Sequence, residues 1–373
     1  MQKEQSLFNE EDDFEKLLSD FINGEFEMEV VEEKPADNEE ETLPEDDDKE
    51  LPQDDDDSMV DDDSMVDDET IPSGYIEQNA SFSVNVEILR PIANPREELD
   101  KLVGCEEIKR RMDDLVALTN YNKLRLQAFP NSKQHEVSLH SVFFGRPGTG
   151  KTTVCKIYGS LLRQAGALSK GHVVVCDRGT FIGTLWGDEE RAMRQVQEKA
   201  KGGVLMIDEA YLLNGKNDND PGKIVIQLLM NVLADETQRD IAVVLCGYKD
   251  QMQKLLDMNP GLYSRFPNKF EFQDFTVDEL LEITKSRVKD YEYEFTDGAW
   301  EKYSRMLANA YQVRDPQTWG NARFVANQLE RIYVQHATRC VKQRSIEKQD
   351  LCMLTPEDIV PIEIPRQKTR IGF

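Results

Sequence analysis

Residues 145–152 read Gly-Arg-Pro-Gly-Thr-Gly-Lys-Thr, which fits the phosphate-loop pattern G-x-x-x-x-G-K-[ST]. The chemistry open to such a run is to hold a nucleoside triphosphate. Gly145, Gly148 and Gly150 let backbone N–H groups wrap the phosphates, Lys151 reaches the outer phosphates, and the Thr152 hydroxyl can ligate Mg²⁺. Pro147, Thr149 and Thr153 complete the candidate nucleotide-binding stretch. Fifty-seven residues beyond Lys151, the apolar run Val204-Leu205-Met206-Ile207 ends in Asp208-Glu209. At the end of a strand, Asp208 can hold Mg²⁺ through water, and Glu209 can orient an attacking water as a base. Alone, an apolar run closed by Asp-Glu reads equally well as the polar exit of a strand; beside a phosphate loop it reads as catalytic.

These residues need elements to carry them. Apolar strand candidates at 139–144, 172–176, 203–207, 241–246 and 269–272 alternate with helix-compatible segments at 151–165, 189–200, 223–235 and 250–258. Strands apolar throughout, in strict alternation with helices, predict an α/β core with a five-stranded parallel sheet covered by helices. Phe82, Val84, Val86 and Ile88 alternate with polar residues as an edge strand would, and a helix is expected from Cys105 to Gln127. After Asp274 strand signals stop, and helical periodicity at 276–291, 297–312 and 320–344 predicts a small helical unit. The expected domains are an acidic arm at 1–80, an α/β nucleotide-binding domain at 81–274, a helical lid at 275–345 and a tail at 346–373.

The charge divides the chain in the same place. Residues 1–80 hold 32 Asp and Glu against four Lys, a net of −28, leaving 40 acidic and 41 basic residues in the remainder. The tandem Asp55-Asp56-Asp57-Ser58-Met59-Val60 and Asp61-Asp62-Asp63-Ser64-Met65-Val66 lies in a stretch too polar to offset ordering entropy, so the arm is expected to be disordered. Phe14, Leu17, Leu18, Phe21 and Ile22 predict one short amphipathic helix within it, a partner-docking element or a transient helix. The longest apolar runs are far shorter than the roughly 20 residues that cross a bilayer. No secretory signal is evident, and six scattered cysteines are expected as reduced thiols of a cytoplasmic protein. No basic stripe or nucleic-acid motif occurs, so nucleic acid is not an expected partner.

Over about residues 98–345 the sequence resembles an AAA+ ATPase, and within that family the CbxX/CfqX type, whose best-known members are red-type Rubisco activases. ATPase components of type VII secretion carry a related module. The resemblance rests on Leu102-Val103-Gly104, the phosphate loop, Lys170-Gly171-His172-Val173-Val174, the run from Gly202 to Tyr211, Gly247-Tyr248-Lys249-Asp250, the run from Asn259 to Phe266, and Gly320-Asn321-Ala322-Arg323.

That resemblance implies an ATPase that uses ATP and Mg²⁺ and assembles as a ring near six subunits. It implies that Val103 and Gly104 border the adenine and that Tyr248 occupies the place near the γ-phosphate where many members carry a polar sensor. Arg265 matches an arginine finger that reaches a neighbouring subunit's nucleotide, and Arg323 a second sensor on the lid. Leu185, Trp186 and Gly187 fall where a pore loop grips a polypeptide, although here Leu185 stands at the usual aromatic position and Trp186 follows it. The plainer alternatives are a surface ion pair for Arg265, a solvated helix charge for Arg323 and core packing for Trp186. The function implied is a motor that remodels or threads a protein client; the alternative is a nucleotide-gated adaptor that assembles with partners without threading.

Overall fold

The computed structural model describes residues 83–131, 138–183, 187–215, 217, 219–234, 240–342 and 347–362. The acidic arm, its amphipathic run, Leu185 and Trp186 lie outside the described residues. In chain order the elements are β1 (Glu87–Leu89), α1 (Pro95–Asp100), α2 (Glu106–Ala128), β2 (Ser141–Gly145), α3 (Lys151–Gln164), β3 (Val173–Cys176), α4 (Arg178–Phe181) and α5 (Asp188–Ala200). Then come β4 (Val204–Ile207), a 3-10 turn (Ala210–Leu213), α6 (Pro221–Ala234), β5 (Ala242–Gly247), α7 (Lys249–Met258), α8 (Pro260–Arg265) and β6 (Asn268–Phe272). The remainder comprises α9 (Val277–Asp290), β7 (Glu294–Phe295), α10 (Asp297–Gln312), α11 (Ala322–Val341) and β8 (Met353–Leu354).

Six strands form one sheet in the order β1-β3-β4-β5-β2-β6. The five expected strands are all parallel, and β1 adds to β3 antiparallel as the edge. The strands β4 and β5 are buried along their whole length, which is why they read as unbroken apolar runs rather than alternations. The edge strand is shorter than its alternation predicts: Val84 is buried, whereas Ile88 is half exposed and Leu89 turns to the core. At an edge only one side is paired, so a change of parity after Val86 leaves no partner strand misregistered.

Phe143 on β2 anchors the main core. Its ring meets Phe270 nearly edge-on and Phe272 at a tilt, each at 5.2 Å, with Tyr158 of α3 behind it. Burying one such ring contributes about 2–3 kcal/mol. A second hydrophobic cluster, with Leu280, Tyr303, Leu307, Val325 and Ile332 at its centre, belongs to α9, α10 and α11. The first of these helices starts at a capping box: the Glu279 N–H donates to the Thr276 hydroxyl, and Glu279 accepts from the Thr276 N–H at 2.7 Å.

Strand signals do not stop at Asp274. The two-residue strands β7 and β8 pair in parallel, Glu294 with Met353 and Phe295 with Leu354, in a sheet of their own. Two residues are too few for any periodicity to announce them. Residues beyond 346 are drawn in with β8, and Leu354 and Ile359 are buried in the second cluster. Asp358, fully buried, secures this return. It accepts from Arg339 Nε at 2.8 Å and Nη2 at 3.0 Å, and from the Thr355 N–H at 2.8 Å, while His336 Nδ1 lies 3.2 Å away. Burial alone would raise the Asp358 pKa, but the Arg339, Thr355 and His336 bonds outweigh it and hold the carboxyl at about 2. All six cysteines are free. No helix among the described residues is long and apolar enough to cross a membrane.

Candidate functional site

Parallel strands deliver their C-terminal ends to one edge of the sheet, and β4, β5 and β2 are neighbours. The residues that follow them therefore meet: Asp208 and Glu209 after β4, Tyr248 after β5, and the phosphate loop after β2. Gly150, at φ +93°, ends the loop as the N-cap of α3 in a conformation that L side chains rarely adopt. The Thr149 hydroxyl donates to the Arg146 carbonyl at 2.8 Å and tightens the turn. The N–H groups of Gly148, Thr149 and Gly150 make no hydrogen bond to any described residue. With the first N–H groups of α3 beside them, they form a concave set of donors at a helix N-terminus, a fit for phosphate oxygens.

The Lys151 ammonium donates to the carbonyls of Gly145 and Arg146 at 2.8 and 2.9 Å. Burial lowers its pKa, while Cys246, Asp208 and Glu209 act in the opposite sense and Arg323 adds to the lowering. Asp208, Glu209 and Arg323 thus all stand within electrostatic reach of Lys151. Tyr248 belongs to the same group: burial raises its pKa, Glu209 raises it further, and Arg146 and Arg323 pull it down. Thr152 and Thr153 are exposed on the first turn of α3. A hydroxyl at Thr152 and a carboxylate at Asp208 are hard oxygen donors, the set that suits Mg²⁺.

Glu209 sits at φ +48° and ψ +40°, left-handed backbone for a residue with a side chain. Such a conformation costs roughly 1–2 kcal/mol. The Glu209 N–H donates to the Asp208 carboxylate at 3.0 Å, which helps hold the turn. Tyr211 was not singled out by sequence reasoning. Burial and a hydrogen bond with Glu209 both push its phenol pKa upward, and its ring meets Tyr248 edge-on at 6.0 Å. Its signal was its place in the Asp208-Glu209-Ala210-Tyr211 run, where only the carboxylates carry obvious chemistry.

Val103 and Gly104 lie in the connection between α1 and α2, where the Glu279 carboxylate packs so tightly on Gly104 that a Cβ there would lie 2.4 Å from Oε1. The loop expected beside the adenine thus faces the first turn of α9. Gly187 is the N-cap of α5 at φ +88°. Arg265 is not gathered with the others. It ends α8 just before β6 begins, and β6 runs parallel to β2 with Asn268 opposite Ser141. Arg265 therefore stands at the N-terminal end of the sheet, a strand length of about 15 Å from the edge that holds the phosphate loop. Among the described residues it forms no ion pair; its guanidinium donates to the Gly261 carbonyl at 3.3 Å.

Comparison with known proteins agrees with this architecture. The family model described as "ATPase family associated with various cellular activities (AAA)" matches residues 141–274, and that of the AAA lid domain matches 276–369. Stage V sporulation protein K of Bacillus subtilis is 34% identical over 262 residues, covering 70% of this chain and 80% of that protein. Protein CbxX (chromosomal) of Cupriavidus necator is 34% identical over 267 residues, covering 70% and 82%. The chloroplastic ribulose bisphosphate carboxylase/oxygenase activase of Cyanidioschyzon merolae is 34% identical over 270 residues, covering 70% and 86%.

Proposed function

Because the chain belongs to the AAA+ ATPases, with CbxX and a Rubisco activase among its relatives, and hydrolyses ATP, we propose that it is a ring-forming motor that remodels a protein client. The observation that carries this reading is the position of Arg265. An arginine at the opposite end of the sheet from its own phosphate loop is free to complete the site of an adjacent subunit. A finger acting in trans makes hydrolysis depend on assembly, and assembly gives each nucleotide-driven change of lid angle a neighbour to push against.

In the chemical step, Glu209 takes a proton from the water as its oxygen bonds to the γ-phosphorus, and the bond to the β,γ-bridging oxygen breaks to leave ADP and phosphate. Lys151 and the loop N–H groups stabilise charge on the phosphate oxygens, and Tyr211 keeps the Glu209 carboxylate aimed. Mg²⁺, held by Thr152 and Asp208, would supply charge neutralisation between the outer phosphates. Val103 and Gly104 border the base, Tyr248 stands beside the γ-phosphate, and Arg323 reports phosphate state to the lid. Leu185, Trp186 and Gly187 grip the client. The relative named as an activase of an enzyme, ribulose bisphosphate carboxylase/oxygenase, supports a folded protein as that client. The six free thiols fit a reducing compartment such as the cytoplasm.

Mass photometry with and without ATP, on the wild type and on Glu209→Gln as a trap, tests the proposal. A nucleotide-dependent ring near six subunits is expected. A monomer or dimer under all conditions would leave Arg265 without a target and overturn the ring. Leu185→Ala with Trp186→Ala then separates motor from adaptor: remodelling lost with ATPase retained supports gripping, and full activity removes it.

A further inference from the structure

The tip of the phosphate loop is held from the lid. Asn321, fully buried just before α11, donates from Nδ2 to the Pro147 carbonyl at 3.3 Å and to Asp274 Oδ1 at 3.0 Å, while its Oδ1 accepts the Phe275 N–H at 3.1 Å. The next residue, Ala322, donates its N–H to the Gly148 carbonyl at 3.1 Å. The other oxygen of Asp274 pairs with Arg146, which is itself in the loop. Gly148, at φ +73°, comes so close that a Cβ on it would lie 1.9 Å from the Gly320 carbonyl oxygen. Asn321 itself sits at φ +49° and ψ −128°, a backbone conformation that persists only where its surroundings enforce it.

A trans peptide is planar, and its C=O and N–H point in opposite directions. Pinning the Pro147 carbonyl therefore aims the N–H of Gly148, and pinning the Gly148 carbonyl aims the N–H of Thr149. These are two of the donors that bond to no described residue. We propose that Asn321 is a positioning residue for nucleotide: through it and the Ala322 N–H, the lid sets the direction of the phosphate-binding N–H groups of Gly148 and Thr149. Lid rotation and a change of phosphate grip are then one movement, and by linkage whichever lid angle favours phosphate is favoured by it. The proposal rests on the reading of residues 145–152 as the phosphate site.

The test compares ADP with AMP by titration calorimetry, because AMP lacks the outer phosphate that the loop tip would hold. Asn321→Asp keeps the shape but turns an acceptor toward the Pro147 carbonyl and the Asp274 carboxylate. ADP affinity should fall by at least about tenfold while AMP affinity changes by less than about twofold. Adding Asp274→Asn, which restores a donor to the pair, should recover part of the loss. Should Asn321→Asp fail to fold, Asp274→Asn alone decides the matter, with ADP weakened by about threefold and AMP unaffected. Equal loss for ADP and AMP in a folded variant would mean a merely structural role, and unchanged ADP affinity would remove the latch. Lys151→Ala separates the two readings. If ADP binding survives it, the phosphate-site reading itself falls; if ADP binding is lost there but intact in the Asn321 and Asp274 variants, only the latch falls.

Discussion

Two polar clusters in this chain are built to opposite rules. Around Asp358 in the lid, both carboxylate oxygens are engaged, by Arg339, by the Thr355 N–H and hydroxyl and by His336, and the cluster is sealed among apolar side chains. Around the phosphate loop, the N–H groups of Gly148, Thr149 and Gly150 donate to no described residue, and Lys151 rests on carbonyls of its own loop. A saturated buried cluster has nothing left to bind with and serves the fold. An unsaturated one retains its capacity for a ligand and draws its rigidity from elsewhere, here from the lid and the strand ends. The difference teaches that burial alone does not mark a site; unspent donors do.

The sharpest way to break the comparison is to ask whether site variants alter chemistry without altering stability, and lid variants the reverse. Arg265→Ala is expected to lower kcat by about 10³–10⁵-fold with the thermal midpoint of the subunit unchanged; phosphate release and a melt on the same sample check it. Asp358→Ala should cost about 3–5 kcal/mol of stability, because it strands Arg339 beside a buried hole, while KM for ATP stays that of the wild type in the folded protein. Urea unfolding with parallel kinetics measures both, and a raised KM without lost stability would erase the division.

Acid should act on the same group with a defined sign. The Asp358 pKa is depressed from 3.8 to about 2, so its contribution, about 2 kcal/mol, is fully present above pH 4 to 5 and is lost as the pH falls toward 2. About half should be gone by pH 3. The stability gap between wild type and Asp358→Asn should therefore shrink over that range. The smallest effect is expected at the surface, where Lys249 pairs with Glu271 at 2.6 Å and both are exposed. Lys249→Ala should change stability by no more than about 1 kcal/mol, and a larger loss would mean that saturation matters even in water.

How much of this was legible in the sequence follows from how far apart the partners lie. Four of the five parallel strands show as apolar runs, β6 at the sheet edge shows as the alternation Asn-Lys-Phe-Glu-Phe, and the phosphate loop shows as eight consecutive residues whose spacing is itself the mechanism. Asp208 and Glu209 declare themselves at the end of an apolar strand. Asn321 does not, because its partners Pro147 and Asp274 lie 174 and 47 residues away and no local pattern ties them. The pairing of β7 with β8 spans 59 positions and involves two residues on each side, too short for a period. Tyr211 was hidden for a different reason: a tyrosine after two carboxylates reads as packing, although burial and the neighbouring Glu209 both push its phenol pKa upward.

The return of β8 to β7 has a mechanical consequence. The chain enters the lid at Thr276 and, after α11, comes back to lie beside Glu294 and Phe295, with Arg339 clasping Asp358 a few residues further on. Tension applied to the chain beyond Ile362 would meet that clasp first. Because Arg339 lies on α11, the charged grip passes that load straight into the helix while the paired backbone passes it to β7, so the lid can be pulled from its far end as one stiff lever rather than unravelled helix by helix.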